Sequence, residues 1–279
     1  MVRILTILVL LLVTQPDTWG EQYDVYLLAG QSNMDGRGRV SELPDELSGP
    51  IDDAIIYYRN AKQNSRGWQT LRPGFSVPPK YSGELPSPTF GPEITFAESM
   101  IDSVAKRKLA IIKGSQGGTN LRMDWNAGVQ GDANGQGTQY RDFIETIQMA
   151  TEDLSQRGDE YVIRGMLWHQ GESDRKSDAA VHARRLKHLI AQIRTKTGIA
   201  DLPVVLGEVF DNGQRDSVRT ALRAVADADA NIGLVSSDGT TTSDPGTHFD
   251  TPSQLELGRR YARVLKRLPA WKPTSAIPK

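Results

Sequence analysis

A serine lies directly after a short apolar segment near the start of the chain, in the run VYLLAGQSNM at residues 25–34. Five consecutive apolar residues are typical of a buried parallel strand. Ser32 then falls on a tight turn beyond the strand's carboxyl end, where open α/β sheets gather their chemistry. A serine on such a turn is well placed to act as a nucleophile, although Ser and Asn are also common in turns without chemistry.

A serine hydroxyl needs a neighbouring base before it becomes a good nucleophile. His248 is the favoured base, because it lies in the rigid turn DPGTHF just before a predicted helix. His182 and His188 fall inside another predicted helix and are expected to be exposed. His169 follows a strand, and it either orients its own loop or contacts the substrate.

Two carboxylates compete as the acid that would orient the histidine. Asp244 precedes His248 by four residues in the same turn, whereas Glu172 lies in a different loop at the same predicted sheet edge. Either carboxylate would also serve to stabilise a turn by accepting backbone hydrogen bonds. The residues alone leave this choice open.

A tetrahedral oxyanion needs hydrogen-bond donors aimed at it. The candidates are the amide of Ser32, an amide from Gly117 or Gly118, and the side-chain NH2 of Gln170. Glycine suits the close approach of a backbone amide to a reacting group. These donors follow different predicted strands, so the sheet edge would have to bring them together.

Two long loops, at about 35–92 and 114–137, are expected to set substrate specificity. Aromatic rings in and near these loops would either stack on sugars or pack in the core. They are Tyr57, Tyr58, Trp68, Trp125 and, at a strand end, Trp168. The candidate substrate-binding residues are Gln31, Asn33, Asn120, Arg122, Trp125 and His169.

Strand and helix patterns alternate along the chain, which favours a parallel sheet covered by helices on both faces. The four polar clusters follow the first, second, third and fifth predicted strands, so they would share one edge of the sheet. The predicted strands are 25–29, 109–113, 161–168, 202–207 and 232–236. The predicted helices are 93–106, 139–157, 178–196, 215–229 and 252–268, the last with Thr251 as its N-cap.

Composition excludes several classes of protein. The chain has 279 residues, a formal net charge of −1 and no cysteine. It therefore offers no basic footprint for nucleic acid, no disulfide and no thiolate metal site, and no indication of a protein partner.

A signal peptide is predicted at residues 1–20 from Arg3, the apolar stretch 4–13 and the small residues before a cleavage site after Gly20. The protein is therefore expected to be secreted or periplasmic, without a membrane anchor. A single domain at 21–268 and a tail at 269–279 would follow.

Together these clusters resemble the SGNH hydrolase superfamily and, more narrowly, its sialate O-acetylesterase and carbohydrate esterase family 6 branch. The motifs are GQSN at 30–33, QGGT at 116–119, WHQGE at 168–172 and GTHF at 246–249. The resemblance extends from about residue 23 to 268. The combination of GQSNM with HQGE is a specific signal, whereas GQS alone would be a weak one.

The resemblance implies a flavodoxin-like three-layer αβα sandwich with a central five-stranded, mainly parallel sheet, and serine esterase chemistry without metal or cofactor. It makes Ser32 the nucleophile and first oxyanion donor, and His248 the base. Gly117 matches the superfamily's second-block glycine better than Gly118, and Gln170 takes the place of an asparagine. Members of the family remove O-acetyl groups from sugars such as xylan or sialic acid.

The chain departs from the superfamily pattern at the acid. The pattern expects aspartate three residues before the histidine, where this chain has Pro245, and Asp244 stands one residue further away. Because the glutamate of HQGE has been implicated as the acid in this branch, the resemblance favours Glu172 over Asp244.

The sequence thus predicts a secreted serine carbohydrate O-acetylesterase that acts on acetylxylan-like or sialic-acid-like sugars through an acetyl-enzyme. The alternatives are an SGNH-type esterase for another small ester and a catalytically silent carbohydrate-binding relative. A glycosidase is disfavoured, because no second carboxylate loop accompanies Glu172. A metal hydrolase is disfavoured too, because no His and Asp spacing resembles a ligand set.

Overall fold

The structure is a computed structural model that describes residues 20–103, 107–129 and 135–273. Its strands, in chain order, are β1 (Gln22–Gly30), β2 (Gly38–Arg39), β3 (Ala54–Arg59), β4 (Gln69–Thr70), β5 (Thr89–Phe90), β6 (Lys108–Ser115), β7 (Glu160–His169), β8 (Val204–Gly207) and β9 (Ile232–Val235). Its α-helices are α1 (Ser32–Asp35), α2 (Glu93–Ile101), α3 (Thr138–Gln156), α4 (Ala179–Thr197), α5 (Asp216–Ala226) and α6 (Thr251–Leu265).

The central sheet has seven strands in the order β4-β3-β6-β1-β7-β8-β9. The strands from β3 to β9 in this order run parallel, and β4 pairs antiparallel to β3 at one edge. All five predicted strands are present, and among themselves they have the flavodoxin-like order 2-1-3-4-5. The α/β prediction is confirmed. After β1 the chain adds strands on one side of it, and from β7 onward it adds them on the other side. Such folds bind ligands at the point where this order reverses, which here lies between β1 and β7.

The predicted count of five strands is too low, because β3 and β4 lie in the stretch expected to be one long loop. Along β3, buried and half-buried residues alternate, and the strand pairs with β6 on one side and only the two-residue β4 on the other. This alternating burial is typical of a strand near the edge of a sheet, whereas β1 has the continuous apolar run of a strand buried on both faces. Glycine, proline and polar residues on both sides of 54–59 mask so short a signal.

Helices cover both faces of the sheet and bury a separate core layer on each. Alternate residues of β1 face opposite layers: Val25 and Leu27 lie in one core, and Tyr26 and Leu28 in the other. The first layer contains apolar residues of α3, α4 and α5, and the second contains those of α2 and α6. The three-layer αβα arrangement is therefore confirmed, and it leaves the ends of the strands free to carry the polar loops.

The last helix begins with a different cap from the predicted one. Asp250 is the N-cap of α6, and its side chain accepts a hydrogen bond from the Ser253 amide, while Thr251 is the first helical residue. The Thr251 hydroxyl instead accepts from the Arg39 amide and donates to Glu42. Aspartate accepts an N-cap hydrogen bond as well as threonine does, so spacing alone does not distinguish two adjacent candidates.

A buried ion pair joins the sheet to α2 beneath the polar edge. The side chains of Lys113 on β6 and Glu93 on α2 are fully buried, and Nζ lies 2.8 Å from Oε2. The same ammonium group donates to the backbone carbonyls of Asp35 and Phe75 at 2.7 and 2.9 Å. Three acceptors therefore satisfy the ammonium and connect segments that border the site described below.

Lys113→Met is expected to destabilise the protein by about 3–5 kcal/mol, because it leaves the Glu93 carboxylate buried without its partner. Chemical denaturation measures the effect. Lys108→Met is the matched control, because Lys108 pairs with Glu21 at the surface, where an ion pair contributes about 1 kcal/mol or less. Similar losses in the two variants would show that the buried pair has no special role in stability.

The predicted signal peptide lies, except for Gly20, outside the described residues, so it stays a prediction, as does the division at residue 268. Trp271, in the predicted tail, is half-buried and packs against the second core layer. Among the helices that the structure describes, none is long and apolar enough to cross a membrane.

Candidate active site

Ser32, His248 and Asp244 form a continuous hydrogen-bonded line at the carboxyl edge of the sheet. Ser32 begins α1 directly after β1, and its Oγ lies 3.1 Å from Nε2 of His248. Nδ1 of His248 lies 2.5 Å from Oδ2 of Asp244. In this order the imidazole can take the hydroxyl proton while the carboxylate fixes its tautomer, which is the geometry of a serine hydrolase.

The Asp244 turn accommodates one residue more than the superfamily spacing. Gly246 has φ of +74°, a left-handed conformation that favours glycine, and its amide donates to the Asp244 carbonyl at 2.6 Å. The chain thereby folds back so that Asp244 reaches His248 from four residues away. The second carboxylate oxygen, Oδ1, accepts from the backbone amides of Thr247 and His248 at 3.0 and 2.9 Å.

These contacts also set the charge of Asp244. Partial burial raises the pKa of this carboxyl, but hydrogen bonds from the His248 amide, the His248 ring and the Thr247 amide outweigh it. The net pKa therefore lies below the usual value, and Asp244 is ionised throughout the pH range in which an imidazole acts as a base.

The geometry does not match the preferred assignment of Glu172 as the partner of His248. Glu172 is buried, and its Oε1 accepts a hydrogen bond from Asn33 Nδ2 and lies 3.6 Å from His169 Nε2. Within the described residues it makes no hydrogen bond with His248. The turn at Gly246 gives that contact to Asp244, which the sequence spacing alone places one residue too far away.

Gly117 lies against the nucleophile, as expected for an oxyanion donor. A Cβ added to Gly117 would stand 3.5 Å from Ser32 Cβ and 3.0 Å from Arg37 Nη2, whereas one on Gly118 would meet only open space. Within the described part of the chain, neither the Ser32 amide nor the Gly117 amide donates to a backbone carbonyl. Both amides are therefore free for a reacting oxygen, and Gly117 fits this role better than Gly118.

Gln170 does not supply the third donor that the sequence suggests. Its side chain is fully buried, and Nε2 lies 2.6 Å from Asp174 Oδ2, 3.1 Å from the Thr119 carbonyl and 3.3 Å from Gln31 Oε1. Its two N–H groups are thus committed to protein acceptors. Gln170 instead links the loop after β7 to the loop after β6, because its Nε2 donates to Asp174 in the first loop and to Thr119 in the second.

A cavity of about 470 Å³ opens over Ser32 and His248. Gln31, Gly117 and Gly118 line it, as do the Val77-Pro78-Pro79 segment and Glu172. Four cationic side chains also line it, none of which the motifs single out: Arg37, Lys62, Arg175 and Arg215. Sequence reasoning misses them because they come from four separate segments without a shared spacing.

Only Gln31 among the six predicted substrate-binding residues lines this cavity. Asn120 bonds to Asp124 through Nδ2 at 2.7 Å, and the exposed Arg122 points its guanidinium toward the Met123 sulfur, outside the cavity. The remaining three are buried: Asn33, Trp125 and His169. Polar residues next to the nucleophile therefore hold the loops in place rather than face the substrate.

The aromatic residues proposed for sugar stacking pack mostly inside the protein. Trp125 and Trp168 meet edge to face with ring centroids 5.0 Å apart in the core. Tyr58 donates to the buried Asp35 carboxylate at 2.7 Å, and Tyr57 packs edge to face against the buried Trp68. Core packing, the alternative for these rings, is the correct interpretation for all but the half-buried Tyr57.

Two histidines are buried without taking part in the line from Ser32. Nδ1 of His169 forms a hydrogen bond of 2.8 Å with the Tyr261 hydroxyl, so His169 orients the loop in which it lies. His182, expected to be exposed, is fully buried in α4. Burial lowers the pKa of both rings, and the nearby carboxylates of Glu172 and Asp174 offset this lowering only in part.

Stability is therefore expected to fall as the pH decreases below about 6.5, the ordinary histidine pKa. In that range the unfolded chain binds protons at His169 and His182 that the folded chain does not, so stability is lost toward the lowered folded pKa values. The loss is at most about 1.4 kcal/mol per pH unit and group. Thermal unfolding between pH 7.5 and 5 measures it, and His182→Leu is expected to flatten the dependence. A Tm that stays constant over this range in the wild type would contradict the prediction.

Among the described residues, no group of three or more His, Asp or Glu side chains could hold a metal ion. A three-layer α/β fold with a Ser-His-Asp line at the carboxyl edge of its sheet has the geometry of a hydrolase.

The chain belongs to the carbohydrate esterase family described as sialic acid-specific acetylesterase, whose family model matches residues 22–267. It is 23% identical to a probable carbohydrate esterase of Arabidopsis thaliana over 257 residues, which cover 86% of this chain and 89% of the relative. The protein is thus a hydrolase of esters, and its family implies an acetylated carbohydrate as substrate.

Solved structures show the same fold. An Arabidopsis thaliana protein matches with a TM-score of 0.70 at 21% identity, covering 89% of this chain and 99% of that one. NanS matches with a TM-score of 0.64 at 17% identity, covering 89% and 98%. A carbohydrate acetylesterase of Xanthomonas citri matches with a TM-score of 0.61 at 17% identity, covering 88% and 56%.

Proposed function

We propose that this protein is a secreted serine carbohydrate O-acetylesterase that works through an acetyl-enzyme intermediate. The observation that carries the proposal is the line of Ser32, His248 and Asp244 at the floor of an open cavity. The proposal of secretion rests on the signal-peptide pattern of residues 1–20.

Each residue of the line has a defined step. Ser32 Oγ attacks the acetyl carbonyl carbon as His248 Nε2 takes its proton, and the amides of Ser32 and Gly117 stabilise the oxyanion. The ester C–O bond then breaks, and the sugar hydroxyl leaves with the proton from His248. Water attacks the acetyl-enzyme by the same route, which releases acetate and restores the Ser32 hydroxyl.

The charge of the cavity favours an acidic acetylated sugar over a neutral one. Arg37 and Arg215 already have partners, since Arg37 pairs with Asp35 and Arg215 donates to the carbonyl of Gly246. Lys62 and Arg175 line the cavity and are exposed, whereas the lining carboxylate, Glu172, is buried. A substrate carboxylate would meet a net positive surface there. Sialic-acid-like sugars therefore fit this cavity better than acetylxylan.

The test measures acetate release from O-acetylated sialic acid and from acetylated xylan, together with labelling by a fluorophosphonate probe. We expect release from at least one substrate, and one phosphonyl adduct on the peptide that contains Ser32. Absence of both acetate release and the adduct in the folded protein would overturn the proposal and favour a carbohydrate-binding relative.

Lys62→Ala and Arg175→Ala are each expected to raise KM for O-acetylated sialic acid about two- to fivefold, the size of an exposed charge interaction. KM for acetylated xylan is expected to change less, and added salt to reduce the difference. Arg122→Ala is the matched control, because Arg122 is exposed but lies outside the cavity. Equal effects on the acidic and neutral substrates would contradict a role for charge.

A further inference from the structure

Both N–H groups and the oxygen of the Asn33 side-chain amide form hydrogen bonds within the protein. Nδ2 donates to the Thr247 carbonyl at 2.9 Å and to Glu172 Oε1. Oδ1 accepts from the Phe249 amide at 3.1 Å. Asn33 is 1% exposed, so this side chain has neither the access nor a spare donor for a substrate.

Two of the three partners of the Asn33 side chain are the residues on either side of His248. Thr247 and Phe249 are both held through their backbones, and Asn33 directly follows Ser32 in the chain. One amide therefore ties the segment that carries the base to the segment that carries the nucleophile. These two segments bring Ser32 Oγ and His248 Nε2 to a distance of 3.1 Å.

Glu172 acts together with the Thr247 carbonyl and the Phe249 N–H to fix which way the Asn33 amide points. If the amide were flipped, its oxygen would face the Glu172 carboxylate and the Thr247 carbonyl, and its NH2 group would face the Phe249 N–H. Glu172 is 5% exposed, and within the described residues its Oε2 has no hydrogen-bond partner. The contact with Asn33 is therefore its principal hydrogen bond, which gives the buried carboxylate a role other than contact with His248.

We propose that Asn33 and Glu172 are positioning residues that form a clip across the active site, in which Glu172 orients the Asn33 amide and Asn33 fixes the backbone on both sides of His248. This inference rests on the proposed serine esterase function. In this proposal Glu172, the glutamate of HQGE, acts by orienting the Asn33 amide through a hydrogen bond. Asp244 supplies the negative charge that faces the His248 imidazole.

Kinetics of four single variants and one double variant test the clip. Asn33→Ala is expected to lower kcat about 10²-fold with little change in KM, because a small displacement of the base is costly. Glu172→Ala is expected to lower kcat about tenfold through the lost hydrogen bond. Glu172→Gln keeps an acceptor for Asn33 Nδ2 and should recover most of that loss. Asn33→Asp places two carboxylates together, so adding Glu172→Gln to it should restore part of kcat.

The pH profile and amide exchange provide readouts that a merely structural role would not reproduce. The pH midpoint of kcat/KM is expected to stay unchanged in Glu172→Gln, and Phe249 amide exchange to accelerate in Asn33→Ala relative to the core amide of Val205. A loss in Glu172→Gln as large as in Glu172→Ala with a shifted midpoint, or unchanged Phe249 exchange, would overturn the clip. Absence of acetate release and Ser32 labelling in the wild type would instead overturn the proposed function, and the exchange measurement would still test the clip.

Discussion

Ser32→Ala is expected to reduce acetate release by about 10⁵- to 10⁶-fold, the largest single effect predicted for this protein. The variant keeps the cavity, its cations and the histidine, but it removes the oxygen that would carry the acetyl group. Water would then have to attack the ester directly, helped only by the oxyanion donors and by binding. Among the described residues the Ser32 hydroxyl forms its hydrogen bond with His248 alone, so its loss is expected to leave Tm nearly unchanged.

Ser173→Ala is the matched control for this variant. Ser173 lines the same cavity, but its amide bonds to Gln31, and its side chain lies outside the line of Ser32, His248 and Asp244. We expect its turnover to stay within a few-fold of the wild type and its single fluorophosphonate adduct to remain on Ser32. Acetate release by Ser32→Ala comparable to the wild type would eliminate the nucleophile assignment.

The sequence predicts the framework of the site because strand ends and short motifs are local features. The polar clusters after β1, β6 and β7 follow apolar runs, and the parallel topology necessarily brings those ends to one edge. Ser32 and His248 are therefore recognised from residue type and position alone. The distance between Oγ and Nε2 agrees with this prediction.

The acid could not be predicted because it depends on the path of a single turn. Counting residues to His248 disfavours Asp244, but the left-handed Gly246 shortens the distance between the two side chains. The family resemblance favours Glu172 as the acid, but the Glu172 carboxylate contacts Asn33 and His169 instead of His248. A one-residue insertion changes side-chain direction in a way that only the backbone conformation reveals.

The substrate-binding residues could not be predicted for a different reason, which is burial. Asn33, Trp125 and His169 stand near the motifs in sequence, yet they are buried, and each forms a side-chain hydrogen bond within the protein. The cations of the cavity come from distant segments, such as Lys62 after β3 and Arg175 after β7. Sequence proximity identifies a loop, whereas only the assembled edge shows which side chains reach the cavity.

Asp244→Asn is expected to lower kcat about 10⁴-fold, which is the second large effect. Two backbone amides donate to Oδ1, so the oxygen of an introduced asparagine would keep that position. Its NH2 group would then face His248 Nδ1, which lies 2.5 Å from Oδ2 in the wild type. The ring would have to accept at Nδ1 and carry its proton on Nε2, so it could no longer take the proton of Ser32.

Kinetics at saturating substrate and thermal unfolding separate this tautomer effect from a general loss of structure. Because asparagine still accepts both backbone hydrogen bonds, Tm is expected to fall only slightly while kcat collapses. Asp238→Asn makes the same chemical change at an 86% exposed side chain and should leave kcat near the wild-type value. If Asp244→Asn retained turnover and Glu172→Gln lost it, the acid would be Glu172, and the short contact between Asp244 and His248 would serve only to shape the turn.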